Sequence, residues 1–282
     1  MRKFEAALIA IIGGIAVFIV KLYAYFISNS VALLSDALES IVNIAASGLM
    51  LFAVYVSEKP ADHNHDYGHQ KIEDISRMLE GLFIMIAVLL IVYTAAVRLF
   101  KSPELSEVNL AVGVSMLATA INAGLSWFLG RTARMSGSAA LEGDSKHLLS
   151  DVVSSAGVWI GLFVAQLTGW SYLDSVLAFI VAALIARMGA ALVVKSSQNL
   201  MEQSCDEEEV KIKKVFIRHS SRFLDFHDLK TRRNGNLVLA ELHLVVDSTI
   251  SVKDAHHLTD HLEEDLQKEL PNVNVTIHIE SK

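Results

Sequence analysis

The sequence predicts a membrane-embedded all-α bundle of six helices followed by a small α+β domain in the order αββαβ. Three observations lead there. Hydrophobic residues make up 52% of the 282 and charged residues only 20%, whereas soluble domains run near a quarter charged. Mean hydropathy is +0.43. The apolar residues are concentrated before about residue 200, and the remaining stretch reads as an ordinary soluble domain. The same composition excludes a disordered chain, a collagen and, with 1 cysteine, a disulfide-stapled secreted module. A net charge of -7 excludes a basic nucleic-acid-binding surface, so no nucleic-acid partner is expected.

A span needs roughly 20 mostly apolar residues. Stretches at about 6–28, 32–57, 78–100, 108–130, 140–167 and 171–195 meet that requirement. Met1-Arg2-Lys3 before the first resembles the start of a signal peptide. The apolar run is too long for that, and a second span comes after it without a convincing cleavage site. Lys21 lies near the far end of the first span, where its ammonium can snorkel to the interface. Arg2, Lys3, Lys59, Lys71, Arg131 and Arg134 lie at the N-terminus and in the second and fourth loops, against Arg98 and Lys101 on the other side. The excess of basic residues predicts that both termini are cytoplasmic in a multi-pass membrane protein. Residues 1–200 then form the membrane domain and 201–282 a cytoplasmic domain.

In the tail, Asp206–Ile217 carries acidic residues first and basic residues later, which suits a helix macrodipole. Asp225–Arg232 and Leu237–Val246 alternate as strands around Arg233-Asn234-Gly235, whose Asn-Gly pair is a hairpin signal. Ser251–Leu266 reads as an amphipathic helix and Val273–Glu280 as a third strand. Cys205 is a lone thiol at the junction, expected to be free.

Charged groups inside a span are costly and by default functional. The second span carries Asp36, Glu39 and Asn43, and the fifth carries Asp144, His147 and Asp151, both at i, i+3 and i+7. That spacing puts each set on one helical face. Two such faces can enclose a divalent cation. Interhelical hydrogen bonding accounts for Asn43 as well as a ligand role does, but five ionisable groups in matched stripes point to a cation path. The loop Asp62-His63-Asn64-His65-Asp66-Tyr67-Gly68-His69 holds donors suited to Zn²⁺, Fe²⁺ or Mn²⁺. A solvated polar loop has the same composition, so both readings stand. His227, His243, His256, His257, His278 and Glu280 lie on separate tail elements, and scattered surface histidines are the simpler reading of them.

Taken together, these residues resemble a known family. Ser35 to Asn43, the Asp62-to-His69 loop, His147-Leu148-Leu149-Ser150-Asp151, His227 to Arg232 and Val275 to His278 resemble a cation diffusion facilitator of the bacterial ferrous-iron/zinc efflux type. The resemblance covers nearly the whole chain. It implies a homodimeric antiporter, in contact with membrane lipid, that exports divalent metal in exchange for protons and is not an enzyme. Zn²⁺ and Fe²⁺ are the implied metals, as substrate and as regulator, with Mn²⁺ and Cd²⁺ as further candidates. By resemblance, the transport site is Glu39, Asn43, His147 and Asp151, and the loop site is Asp62, His65 and His69. The tail sites are His227, His243, His256, His278 and Glu280 in a metallochaperone-like domain. Lys71 takes the place of a lysine that pairs at the membrane–tail junction, with Glu202 as its partner. The family usually has Asp, or His, and then Asp in span two, where this chain has Glu39 and Asn43. Asn offers a neutral oxygen, so the site holds two ligand carboxylates where three are usual, which favours Fe²⁺ or Mn²⁺ relative to Zn²⁺. Asp36 and Asp144 are auxiliary sources of charge. The alternative is a non-transporting membrane scaffold that keeps the fold and the metal-sensing dimer.

Overall fold

The structure, a computed structural model, describes the backbone of residues 3–28, 31–100, 109–168 and 172–282. Inside the helices the side chains of 24–25, 27–28, 31–39, 98–100, 109–112, 115, 158–159, 161–168 and 172–175 lie outside the description, which leaves Asp36 and Glu39 without a side-chain account. The chain divides into two compact units, Met1–Ser197 and Gln198–Lys282.

The first unit holds six long helices: α1 (Lys3–Ser28), α2 (Val31–Ser57), α3 (Ile72–Phe100), α4 (Asn109–Ser136), α5 (Ala139–Thr168) and α6 (Tyr172–Leu200). Among the described residues, stretches of α1, α2, α3 and α6 are long and apolar enough to cross a membrane. α4 is diluted by Ser, Thr, Asn and Gly, and α5 by Glu142, Asp144, Lys146, His147 and Asp151. Ile12, Ile19, Leu89, Leu90 and Leu184 are exposed on the bundle's outer surface, where hydrocarbon is a suitable solvent. Inside, Ala6, Ala7, Ala10, Ala53, Ala133 and Ala140 lie around Met50, Leu129 and Leu141. Small residues let helix backbones approach closely when lipid supplies no hydrophobic drive. Gly81 and Gly189 do this reciprocally, since a Cβ on either would stand 2.9 or 3.0 Å from the other's carbonyl oxygen.

Several helices outrun their apolar windows. α3 starts at Ile72, before the expected 78, because its first turns carry polar residues that are satisfied internally. Lys3 Nζ and Ser57 Oγ donate to Glu73 at 3.0 and 2.6 Å, tying α1, α2 and α3. Arg77 donates to Ser196 on α6 at 2.8 Å and to Glu142 on α5 at 2.9 Å. Leaving one of these buried groups unmatched would cost about 1–3 kcal/mol.

The second unit consists of α7 (Asp206–Arg218), a short 3₁₀ turn (Ser220–Arg222), β1 (Asp225–Asn234), β2 (Leu237–Val246), α8 (Val252–Glu269) and β3 (Val273–Ser281). β1 runs antiparallel to β2, and β3 runs parallel to β2. The helices cover one face, where Ile212, Val215, Phe216, Leu258, Leu262 and Leu266 meet the alternate β2 residues Val238, Ala240, Leu242, Leu244 and Val246. Ser251 caps α8, accepting from the Asp254 amide at 3.1 Å. The hairpin differs from expectation: β1 extends to Asn234, and the turn is Gly235-Asn236. Gly235 takes the left-handed conformation there (φ 59°), and Asn234 remains buried in the strand.

Candidate metal-binding sites

α5 is the element on which the candidate intramembrane site is built. Its Asp144, His147 and Asp151 fall one turn apart, with Asp144 and His147 buried. From α2, Asn43 Nδ2 donates to Asp151 Oδ2 at 2.7 Å, and Asn43 Oδ1 lies 3.3 Å from His147 Nε2. Ser47, one turn further along α2, donates to Asp144 Oδ1 at 2.9 Å. Thus the carboxamide sits between an imidazole and a carboxylate, the donor set that suits a divalent ion with mixed N/O preference. Asp144 is engaged by Ser47 and lies one turn from this set.

Sequence reasoning missed one residue here. Glu80 on α3 is fully buried, neither of its carboxylate oxygens has a hydrogen-bond partner among the described residues, and Oε2 lies 3.7 Å from His147 Nδ1. The signal was legible, since a glutamate inside an apolar window marks function by default.

The loop between α2 and α3 is closed on itself by paired backbone bonds. The Asp62 amide donates to the His65 carbonyl at 3.2 Å and the His65 amide to the Asp62 carbonyl at 3.0 Å. Gly68 (φ 79°) then turns the chain towards α3. Asp62 Oδ1 lies 2.9 Å from His65 Nδ1 and Oδ2 lies 3.3 Å from His69 Nε2, so three donors converge. The His65 hydrogen bond holds the Asp62 carboxyl below its ordinary value. His63 and Asp66 are not in this group.

In the tail, a β-bulge decides which residues meet. His227 pairs with His243 and Lys230 with Glu241, so β1 has one residue too many between them. Asp228 absorbs it in the left-handed conformation (φ 53°). Phe226 and Leu229 consequently both pack on the core, and His227 takes the opposite face alongside His243. Glu280 joins them, with Oε1 2.7 Å from His243 Nδ1 and Oε2 3.2 Å from His227 Nε2. The His243 hydrogen bond is the largest effect holding the Glu280 carboxyl low. His278 is the β3 neighbour of His243, with ring centres 4.8 Å apart. His256 stands apart on α8, 3.5 Å from Asp260. Glu202 pairs with Arg232 at 3.2 Å.

A third convergence, His219, His261 and Asp265, was not anticipated. Asp265 accepts from His219 at 2.9 Å on one oxygen and from Lys268 at 2.7 Å on the other. The ammonium already neutralises the charge that a cation would need, so the group acts as a clamp between α7 and α8. Lys268 above all, and then His219, holds the Asp265 carboxyl below its usual range.

Comparison with known proteins places the chain in a family. A Synechocystis protein described as an uncharacterised transporter, sll1263, is 34% identical over 97% of this chain and 89% of its own length. The cation-efflux pump FieF of Shewanella oneidensis is 31% identical over 86% of this chain and 81% of its own. The metal-bound C-terminal domain of the CzcD transporter from Thermotoga maritima is 32% identical, covering 27% of this chain and 87% of that one, with a TM-score of 0.26. Residues 7–201 match the cation efflux transmembrane domain and 205–282 the cytoplasmic domain of cation efflux proteins. The chain therefore belongs to the cation efflux family of transporters, the cation diffusion facilitators.

Proposed function

We propose that this membrane protein exports a divalent metal, Zn²⁺ or Fe²⁺ first and Mn²⁺ or Cd²⁺ next, from the cytoplasm in exchange for protons. It works as a homodimer in the inner membrane with both termini cytoplasmic. The observation that carries the reading is the meeting of Asn43, His147 and Asp151 between α2 and α5. Glu39 completes the set by its place one turn before Asn43.

The exchange follows from ligand chemistry. Metal binds only deprotonated ligands, so loading releases protons and unloading is favoured when they return. An imidazole, which can bind either a metal or a proton at the same nitrogen, suits that trade. Alternating access of the site to the two sides then converts a proton gradient into metal efflux. The loop donors Asp62, His65 and His69 offer a second docking place for the ion. His227, His243, His278 and Glu280 give the tail a metal-dependent state, the differential affinity that any ligand-driven shift requires.

The test is metal flux in proteoliposomes with an imposed pH gradient. His147→Ala and Asp151→Ala are expected to abolish flux. Wild-type flux in either would overturn the site assignment, and metal binding without flux in the unsubstituted protein would favour a non-transporting scaffold.

A further inference from the structure

The intramembrane site has a buried carboxylate that the transport reading does not use. Glu80 comes from α3, whereas the other described donors come from α2 and α5. It reaches α5 because residue 143 is glycine, where a Cβ would stand 3.0 Å from both Glu80 Cγ and Arg77 Cα. The chain thus places a small residue beside a fully buried acid that has no hydrogen bond among the described residues. Burying an unmatched carboxylate is expensive, which calls for a compensating role.

The histidine geometry supplies one. Nε2 of His147 faces Asn43 Oδ1 at 3.3 Å, while Nδ1 faces Glu80 Oε2 at 3.7 Å. The two ring nitrogens thus point to different partners on different helices. A metal-ligating imidazole works best when its second nitrogen keeps a hydrogen that a carboxylate accepts, because this fixes the tautomer and the ring plane. We infer that Glu80 is the positioning residue of the transmembrane metal site. It accepts from His147 Nδ1–H and so presents the Nε2 lone pair to a divalent cation between Asn43 and Asp151. At 3.7 Å the pair stands just beyond hydrogen-bond distance, and the inferred bond requires it to close by several tenths of an ångström. This rests on the proposed transport site, and it goes further by making α3 a member of that site.

The experiment uses the full chain in detergent, with His227→Ala, His243→Ala and Asp62→Ala introduced to silence the other clusters. The probes are Zn²⁺, measured by chelator competition, and Co²⁺, read from its visible absorption. Glu80→Leu is expected to weaken Zn²⁺ binding about 10–100-fold and to alter the Co²⁺ bands. Glu80→Gln, whose amide oxygen still accepts from Nδ1–H, should stay within about threefold of the parent, a retention that a purely electrostatic role would not give. In a His147→Ala background, Glu80→Leu should have no further effect, because its action passes through the ring. If Glu80→Leu fails to fold, Glu80→Ala supplies the same reading. Parental affinity in Glu80→Leu or Glu80→Ala, or an equal loss with and without His147, would overturn the inference while leaving the transport site standing. Unchanged binding in His147→Ala alone would remove both.

Discussion

In the proposed transport site, Asn43 is the residue whose chemistry bears most on ion choice. It contributes a neutral oxygen towards His147 and spends its amide hydrogen on Asp151. Asn43→Asp adds a carboxylate and should tighten divalent binding by about tenfold, since charge count tunes affinity over decades in oxygen-rich sites. Metal-by-metal binding of Zn²⁺, Fe²⁺, Mn²⁺ and Cd²⁺ by chelator competition would show it, and unaltered affinity would contradict it. Asp228 matters for a different reason. Its left-handed backbone keeps Phe226 and Leu229 on the core and His227 on the open face. Asp228→Val should cost about 1–2 kcal/mol in denaturant unfolding of the tail, while Asp228→Gly should be close to neutral. Asp265 sets an acid limb. Its carboxyl is lowered in the folded protein, so its contribution is present above the ordinary value of 3.8 and is lost as pH falls through the folded value. Asp265→Asn should therefore flatten the loss of tail stability below about pH 4, as followed by circular dichroism.

At the scale of elements, the helices and strands were legible because apolar periods of 3.6 and 2 are written locally. Their meetings were not. The tail histidines and Glu280 could not be joined from sequence, because an extra residue at Asp228 inverts the facing of β1 and because the parallel register of His243 with His278 is a long-range fact. The early start of α3 was hidden for a similar reason. Glu73 and Arg77 look like loop residues until Lys3, Ser57, Glu142 and Ser196 are seen to receive them. The α2 and α5 stripes were visible, since helical spacing alone aligns them, but the α3 contribution depends on Gly143 letting two backbones close up. The α3–α6 crossing depends on glycine too. Gly189→Val should separate the helices at Gly81 and Ile84 and cost about 1–3 kcal/mol, as overpacking does. A lowered thermal unfolding temperature in detergent, with His147 and Asp151 untouched, is the expected reading.

On the scale of the molecule, two kinds of solvent have shaped one chain. The first unit turns isoleucine and leucine outwards and keeps alanine, glycine, serine and acids within, as suits lipid. The second has an ordinary aqueous core of Ile212, Val215, Phe216, Leu242, Leu244, Leu262 and Leu266. Since that core is built from α7, β2 and α8 of the second unit, residues 203–282 expressed alone should fold cooperatively. A single sigmoidal denaturation curve followed by far-UV circular dichroism would be the sign, and a gradual, non-cooperative loss of signal would refute it.

Gly143 carries a consequence for tolerance of substitution as much as for packing. A Cβ at residue 143 would crowd the place that Glu80 takes beside α5, standing 3.0 Å from its Cγ. Position 80 and position 143 are therefore coupled: a substitution at 143 that adds a Cβ should be better tolerated in a chain whose residue 80 is shortened than in this one.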